Sequence, residues 1–296
     1  MSFNDDAQLD TSQITSGGGG IGGRGGVAIG GGAGLIILVL GLIFGVDTSG
    51  ITGTPGSPVQ PGVSTIDTSR CHTGADANRY VECRVVGTVN SVQAYWSQAL
   101  PAAAGVQYTE AQTVEYTGQT QSACGTASNA VGPFYCPNDK LVYIDPSFFD
   151  ELTSRFGADD GALAQEYVVA HEYGHHVQDL LGVLGAAQQD QQGAESGSVR
   201  IELMADCLAG VWAHHASQTQ DAQGNTLLKP LTKQDISSAL SAASAVGDDR
   251  IQKSSGGSVN PETWTHGSSA ERQRWFTRGY DSGQLGQCDT LHASSL

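Results

Sequence analysis

An α+β domain carried behind one membrane-spanning helix is the architecture that this sequence predicts, and three observations predict it. Residues 27–46 form an uncharged apolar run of about the length that a bilayer-crossing helix requires. Three later segments carry helical periodicity or helix-start signals, at 161–184, at 200–214 and from Thr232 onward. Lys140 to Asp145, KLVYID, alternates and holds β-branched and aromatic residues, the pattern of a short strand, and Pro146 closes it.

Taken in order, residues 1–26 include GGGGIGGRGG and are too polar and glycine-rich to bury a core, so they read as a disordered tail. The run at 27–46 is longer than the apolar region of a cleaved leader and lacks a small-residue cleavage signal after it. Arg24 is the only basic residue before it, which favours a cytoplasmic amino terminus and a single-pass protein of the cell membrane with its large domain outside. Residues 47–69 are rich in Gly, Pro, Ser and Thr and read as a flexible stalk. The globular domain is then 70–296, with a helix expected to open at Ser91 to Leu100.

The formal net charge of −16, from 30 acidic and 14 basic side chains, argues against a nucleic-acid partner, whose phosphates require Lys and Arg. It argues equally against electrostatic adhesion to an anionic membrane surface. The six cysteines are even in number and include no CxxC, so disulfides fit better than a zinc finger. Six cysteines admit fifteen pairings. Local staples at Cys71 with Cys83 and Cys124 with Cys136 would leave Cys207 for Cys288, one assignment among those fifteen. The glycines of the apolar run do not decide an oligomeric state.

Leu163, Tyr167, Ala170, Gly174, Val177, Leu181 and Leu184 recur at spacings of four and three, one face of a helix. On that helix lies HEYGH. His171 and His175, four apart, project in nearly the same direction and can share one metal ion, while Glu172 is rotated between them, as a general base toward water on that ion must be. Catalytic zinc takes three protein ligands and leaves a fourth position open. Glu202, on the second helical run, is the expected third ligand, and Asp206, four residues on, is placed to accept the hydrogen bond from the outer nitrogen of a ligating histidine. His214 and His215 are rival ligands that read better as a solvated helix end; His176 falls off the metal-facing stripe, and His72 and His292 read as loop and tail residues. TKQD at 232–235 resembles a capping box that starts a third helix running on through residue 252.

Four blocks in order, GPFYCPNDKLVYID, HEYGHHVQ, ELMADCLAGVW and WTHGSSAERQRWF, resemble the bacterial family of neutral zinc metallopeptidases over roughly residues 70–290. The resemblance implies a zincin-like domain with a catalytic HExxH helix and a small sheet, Zn2+ as cofactor, and a peptide or protein substrate. More distantly, HExxH followed by ExxxD resembles the gluzincin peptidases, in one group of which a THP motif precedes an arginine. Thr265, His266 and Arg272 match that spacing, with Gly267 in the proline's place. By that likeness His266 contacts the oxyanion or substrate, Arg272 supports the site behind the ligands, and the strand at 140–145 forms the edge above the cleft. The cluster Gly247 to Arg250 also recurs in the family, without a role that the residues explain. The expected chemistry is peptide hydrolysis by a zinc-activated water with Glu172 as base. The alternatives are a catalytically inactive, zinc-stabilised ectodomain that binds envelope proteins, and a zinc hydrolase acting on another substrate.

Overall fold

A computed structural model describes residues 2–16 and 64–296. Mixed helices and a small sheet make up the fold, as the α+β reading expects. The strands are β1 (Ile14–Ser16), β2 (Ser64–Thr65), β3 (Thr113–Thr117), β4 (Gln119–Ser122), β5 (Gly125–Ser128), β6 (Phe134–Cys136) and β7 (Leu141–Ile144). The helices are α1 (Gly74–Arg79), α2 (Val81–Ala104), α3 (Phe148–Ser154), α4 (Ala162–Leu180), α5 (Gly185–Gln189), α6 (Gly197–His215), α7 (Lys233–Ala245), α8 (Asp248–Ser254) and α9 (Ser269–Ser282).

The main sheet runs β1-β3-β7-β6, parallel except at β6–β7, with β2 added antiparallel to β3. Its strands alternate as a two-sided sheet must. Val142, Ile144 and Tyr135 enter the large helical core, while Tyr143, Val114, Tyr116, Phe134 and Cys136 fill a smaller cluster on the other face, with Ala127 of the β4–β5 hairpin. Thr113 Oγ1 lies 2.9 Å from the Tyr173 hydroxyl, which ties the sheet to α4.

Helix α4 covers the first five positions of the expected stripe, Leu163, Tyr167, Ala170, Gly174 and Val177, all buried, but it ends at Leu180, short of Leu181 and Leu184. Helix α7 begins where the capping box places it: the Thr232 side chain accepts from the Asp235 amide and the Asp235 side chain from the Thr232 amide. It does not run on through residue 252. The chain breaks at Val246 and Gly247 and restarts as α8, which frees the Asp248 carboxylate to bind a neighbouring loop. The strand expected at 140–145 is present as β7, but it is internal. Among the described residues, β6 is the edge strand on the cleft side, pairing with β7 alone. Cys71–Cys83, Cys124–Cys136 and Cys207–Cys288 are disulfide-bonded.

Residues 2–16 depart from the expected disordered tail. Phe3 is fully buried, and its amide and carbonyl pair with the Asn78 side chain at 2.8 and 3.0 Å. Asp10 and Asn90 are joined likewise at 2.8 and 2.9 Å, and Ile14 pairs with Thr113 as β1 joins β3. Polar composition misled here because the apolar anchors are few and their partners lie far along the chain.

The expectation of a single-pass membrane protein with an extracytoplasmic domain is overturned. Among the described residues no helix is long and apolar enough to cross a membrane. The apolar run at 27–46 and most of the expected stalk lie outside the described residues. A single crossing between β1 and β2 would put those strands on opposite sides of a bilayer, yet both pair with β3.

Replacing Phe3 with alanine should lower the unfolding free energy by about 3 kcal/mol, seen as a lower denaturant midpoint at unchanged slope. An unchanged midpoint would show that residues 2–16 do not support the fold.

Candidate metal centre

Two helices build the site. From α4 come His171, Glu172 and His175, and the one-turn spacing brings the two imidazole rings to 4.8 Å between centroids. From α6 come Glu202 and Asp206, also one turn apart. The helices approach closely at Gly174, where a β-carbon would stand 3.1 Å from the Ala205 backbone, so a side chain there would push the two sets of donors apart.

One donor atom each from His171, His175 and Glu202 lies within 4.8 Å of the others, and all three residues are buried. The Glu202 carboxylate stands 3.2 Å from His171 Nε2 and 3.5 Å from His175 Nε2. Both outer nitrogens are engaged elsewhere. His171 Nδ1 donates to Asp206 at 2.9 Å, and His175 Nδ1 donates at 2.8 Å to Gln178 Oε1, whose amide group is fixed by a 2.7 Å bond to the Ile201 carbonyl. With Nδ1 of each ring engaged in these bonds, Nε2 is turned toward the Glu202 oxygens, the nitrogen through which a neutral imidazole would bind a metal. Two imidazoles and a carboxylate so arranged fit zinc, which binds nitrogen and oxygen donors and takes three protein ligands in catalytic sites.

Asp206 is fully buried and gathers the site around it. Besides His171 it accepts from Arg272 of α9, Nε to Oδ2 at 2.8 Å and Nη2 to Oδ1 at 2.9 Å, and from the Tyr167 hydroxyl. Arg272 also donates to Tyr167 Oη at 3.1 Å and to the Val246 carbonyl at 3.3 Å. Burial alone would raise the Asp206 carboxyl, but the Arg272 guanidinium and His171 outweigh it and hold it below its usual range. Burial opposes charge on His171 as well; there the carboxylates of Asp206 and Glu202 prevail and raise it to about 10. Glu202 is driven well down against burial by His175 and His171.

Glu172, His266 and Arg272 line one cleft together with the three donors, and the cleft measures about 850 Å³ with its open mouth included. Asp206 stands behind that lining. Burial raises the Glu172 carboxyl, with His171, His175 and the backbone amide of Tyr135 on edge strand β6 acting against the rise. His266 Nδ1 lies 2.9 Å from Thr265 Oγ1 and 3.3 Å from Asp248 Oδ1. The other Asp248 oxygen accepts the amides of Thr265, His266 and Gly267 at 2.7–3.0 Å. The acidic pair after Gly247 therefore fastens two segments: Asp248 holds the His266 loop, and Asp249 accepts from Ser269 at the start of α9. Gly267 has φ +88°, which proline cannot adopt, so the loop differs in backbone from a THP sequence.

Sequence reasoning missed Tyr167 and Gln178, and it singled out the cluster holding Asp248 without a role for it. Tyr167, one turn before His171, was absorbed into the apolar stripe, and Gln178, three residues after His175, signals itself only through that spacing. His176 is buried away from the donors, its Nε2 2.6 Å from the Thr109 carbonyl. His214 and His215 sit at the far end of α6 against the Tyr280 and Gly283 carbonyls.

Residues 4–291 match the family described as "Putative neutral zinc metallopeptidase". The chain belongs to this family. Its relatives include an uncharacterized protein of Mycobacterium tuberculosis, 53% identical over 257 residues that make up 86% of each chain. Uncharacterized protein YpfJ of Escherichia coli is 41% identical over 295 residues, 97% of this chain and 96% of its own. No solved structure matches the chain. The family name supports zinc and a peptidase class, and the buried His171, His175 and Glu202 group is one that could hold the ion.

Because His171 keeps a proton up to about pH 10 when no metal is bound, and a ligand must be neutral, metal binding should release that proton. Affinity should fall about tenfold for each pH unit lost from pH 8 down to pH 6, a slope that metal titrations at pH 6, 7 and 8 would reveal or exclude. Asp206→Asn should weaken metal binding by about 10- to 100-fold.

Proposed function

We propose that the protein hydrolyses peptide bonds with zinc held by His171, His175 and Glu202 and with Glu172 as general base. The observation that carries the reading is the buried three-donor group with a second carboxylate, the non-ligating Glu172, in the same cleft. Zinc in such a site supplies Lewis acidity toward a carbonyl and toward water. Glu172 takes a proton from the attacking water and passes it to the leaving amine; burial raises its carboxyl, which suits a group that must hold the proton between those steps. A binding-only protein would have no use for a buried base at that position.

His266 is assigned to the developing oxyanion. Burial opposes its charge, but the hydrogen bond to Asp248 and the nearby Glu202 raise it, so it can present a second N–H at Nε2 while Asp248 engages Nδ1. Asp206 and Arg272 act as positioning residues through His171. An extended substrate would lie along edge strand β6, whose Tyr135 amide is near enough to Glu172 to act against the rise of its carboxyl.

Glu172→Gln should keep one zinc per chain and lose about 10²- to 10⁴-fold in kcat, measured by elemental analysis and hydrolysis of a casein or peptide panel. Glu202→Ala should lose the metal itself. A wild-type protein without zinc, or a Glu172→Gln variant as active as wild type, would refute the assignment.

A further inference from the structure

The last histidine of HEYGHH has no part in the chemistry so far described. His176 follows His175 on α4 and is turned about 100° from it around the helix. Its ring is boxed by Tyr108, Tyr135 and Tyr173, with centroids 5.4, 5.4 and 6.3 Å away. Nε2 donates to the Thr109 carbonyl at 2.6 Å, and Nδ1 lies 3.2 Å from the hydroxyl oxygen of Tyr135. That hydroxyl donates at 2.8 Å to Asp179 Oδ2, one turn beyond His175 on α4. The phenol of one β6 residue is thus caught between two side chains of the helix that carries the metal donors.

Strand β6 has only three residues and, among the described residues, pairs with β7 alone. Its outer row of N–H and C=O groups is therefore open to a further strand. Of its residues, Tyr135 alone enters the helical core; Phe134 and Cys136 pack in the smaller cluster on the other face. The side-chain hold of β6 on the helical core accordingly passes through Tyr135. This residue meets α4 at two levels: its amide acts on the Glu172 carboxyl, and its hydroxyl is bonded to Asp179, about two turns further along. Removing the hydroxyl would leave the ring packed and release the second hold.

We propose, resting on the peptidase reading above, that Asp179 and His176 clamp the Tyr135 phenol and so set the distance of the substrate-pairing edge from the metal centre. Tyr135 and Asp179 are positioning residues that act through the β6 backbone and touch none of the metal donors. Backbone pairing along β6 is made in the ground state and the transition state alike, so loss of the clamp raises KM and leaves kcat in place.

The test uses the full chain and a set of casein-derived hexapeptides. Tyr135→Phe should raise KM about three- to tenfold, the worth of one hydrogen bond, with kcat and zinc content kept. Asp179→Ala, at a half-buried site, should act in the same direction and serves if the first variant does not fold. Asp179→Asn, which retains an acceptor oxygen, should restore KM to within about threefold of wild type. The two losses share one bond, so the double variant Tyr135→Phe with Asp179→Ala should be no worse than the poorer single one. An unchanged KM in folded, zinc-loaded Tyr135→Phe, a loss confined to melting temperature or kcat, or fully additive losses overturn the proposal. The same peptides are titrated by calorimetry against Glu172→Gln with and without Tyr135→Phe. Binding weakened by Tyr135→Phe, with no hydrolysis in wild type, sinks the peptidase reading and supports the clamp; binding left unweakened overturns the clamp whether or not wild type hydrolyses.

Discussion

One buried carboxylate couples the helices that make the site. Asp206 of α6 accepts from His171 of α4, from Arg272 of α9 and from Tyr167 one turn below His171, so the positions of three helices are set against a single group. A fully buried Asp206 is tolerable only because each bond from it ends on a donor and one donor carries a full positive charge. Loss of any partner leaves the rest desolvated and short of a bond, and for the arginine that means an uncompensated buried charge. The orientation of His171 is therefore a property of the whole helical packing.

The neighbouring constraints converge on the same helix. Cys207 follows Asp206 and is tied to Cys288 beyond α9, which restrains α6 against the C-terminal segment. At the opposite face, Gly174 lets α4 lie against Ala205, and Gln178 reaches from α4 back to the Ile201 carbonyl while orienting His175. His171 and His175 are thus each steered by a group lodged in the α4–α6 interface. The loop bearing His266 is fixed separately, by an aspartate that helix α7 could expose only by ending at Val246.

What the sequence made legible follows from helical geometry. His171 with His175, and Glu202 with Asp206, are pairs four apart, and such pairs declare their common direction without knowledge of the fold. The pairing of Cys207 with Cys288 is the one left by the two local staples, as the sequence suggested, whereas the position of β6 at the edge is decided by contacts distant in sequence. Tyr167 was hidden because a tyrosine in an apolar stripe looks like core, and its hydroxyl partner lies on another helix. Asp248 was hidden because its bonds go to backbone amides some twenty residues on. The N-terminal segment was misread for a similar reason: its polar composition is that of a tail, yet Phe3, Ile14 and a few side-chain bonds fasten it down.

That segment also orders events in time. Ile14 finds its strand partner in Thr113, and Phe3 bridges to Leu228. During vectorial synthesis these residues leave the ribosome well before Thr113 and Leu228 and have nothing to pair with until those have followed, because non-local strand contacts form only after the intervening chain has been made. Residues 2–16 can therefore take their places only once the chain through Leu228 has been made.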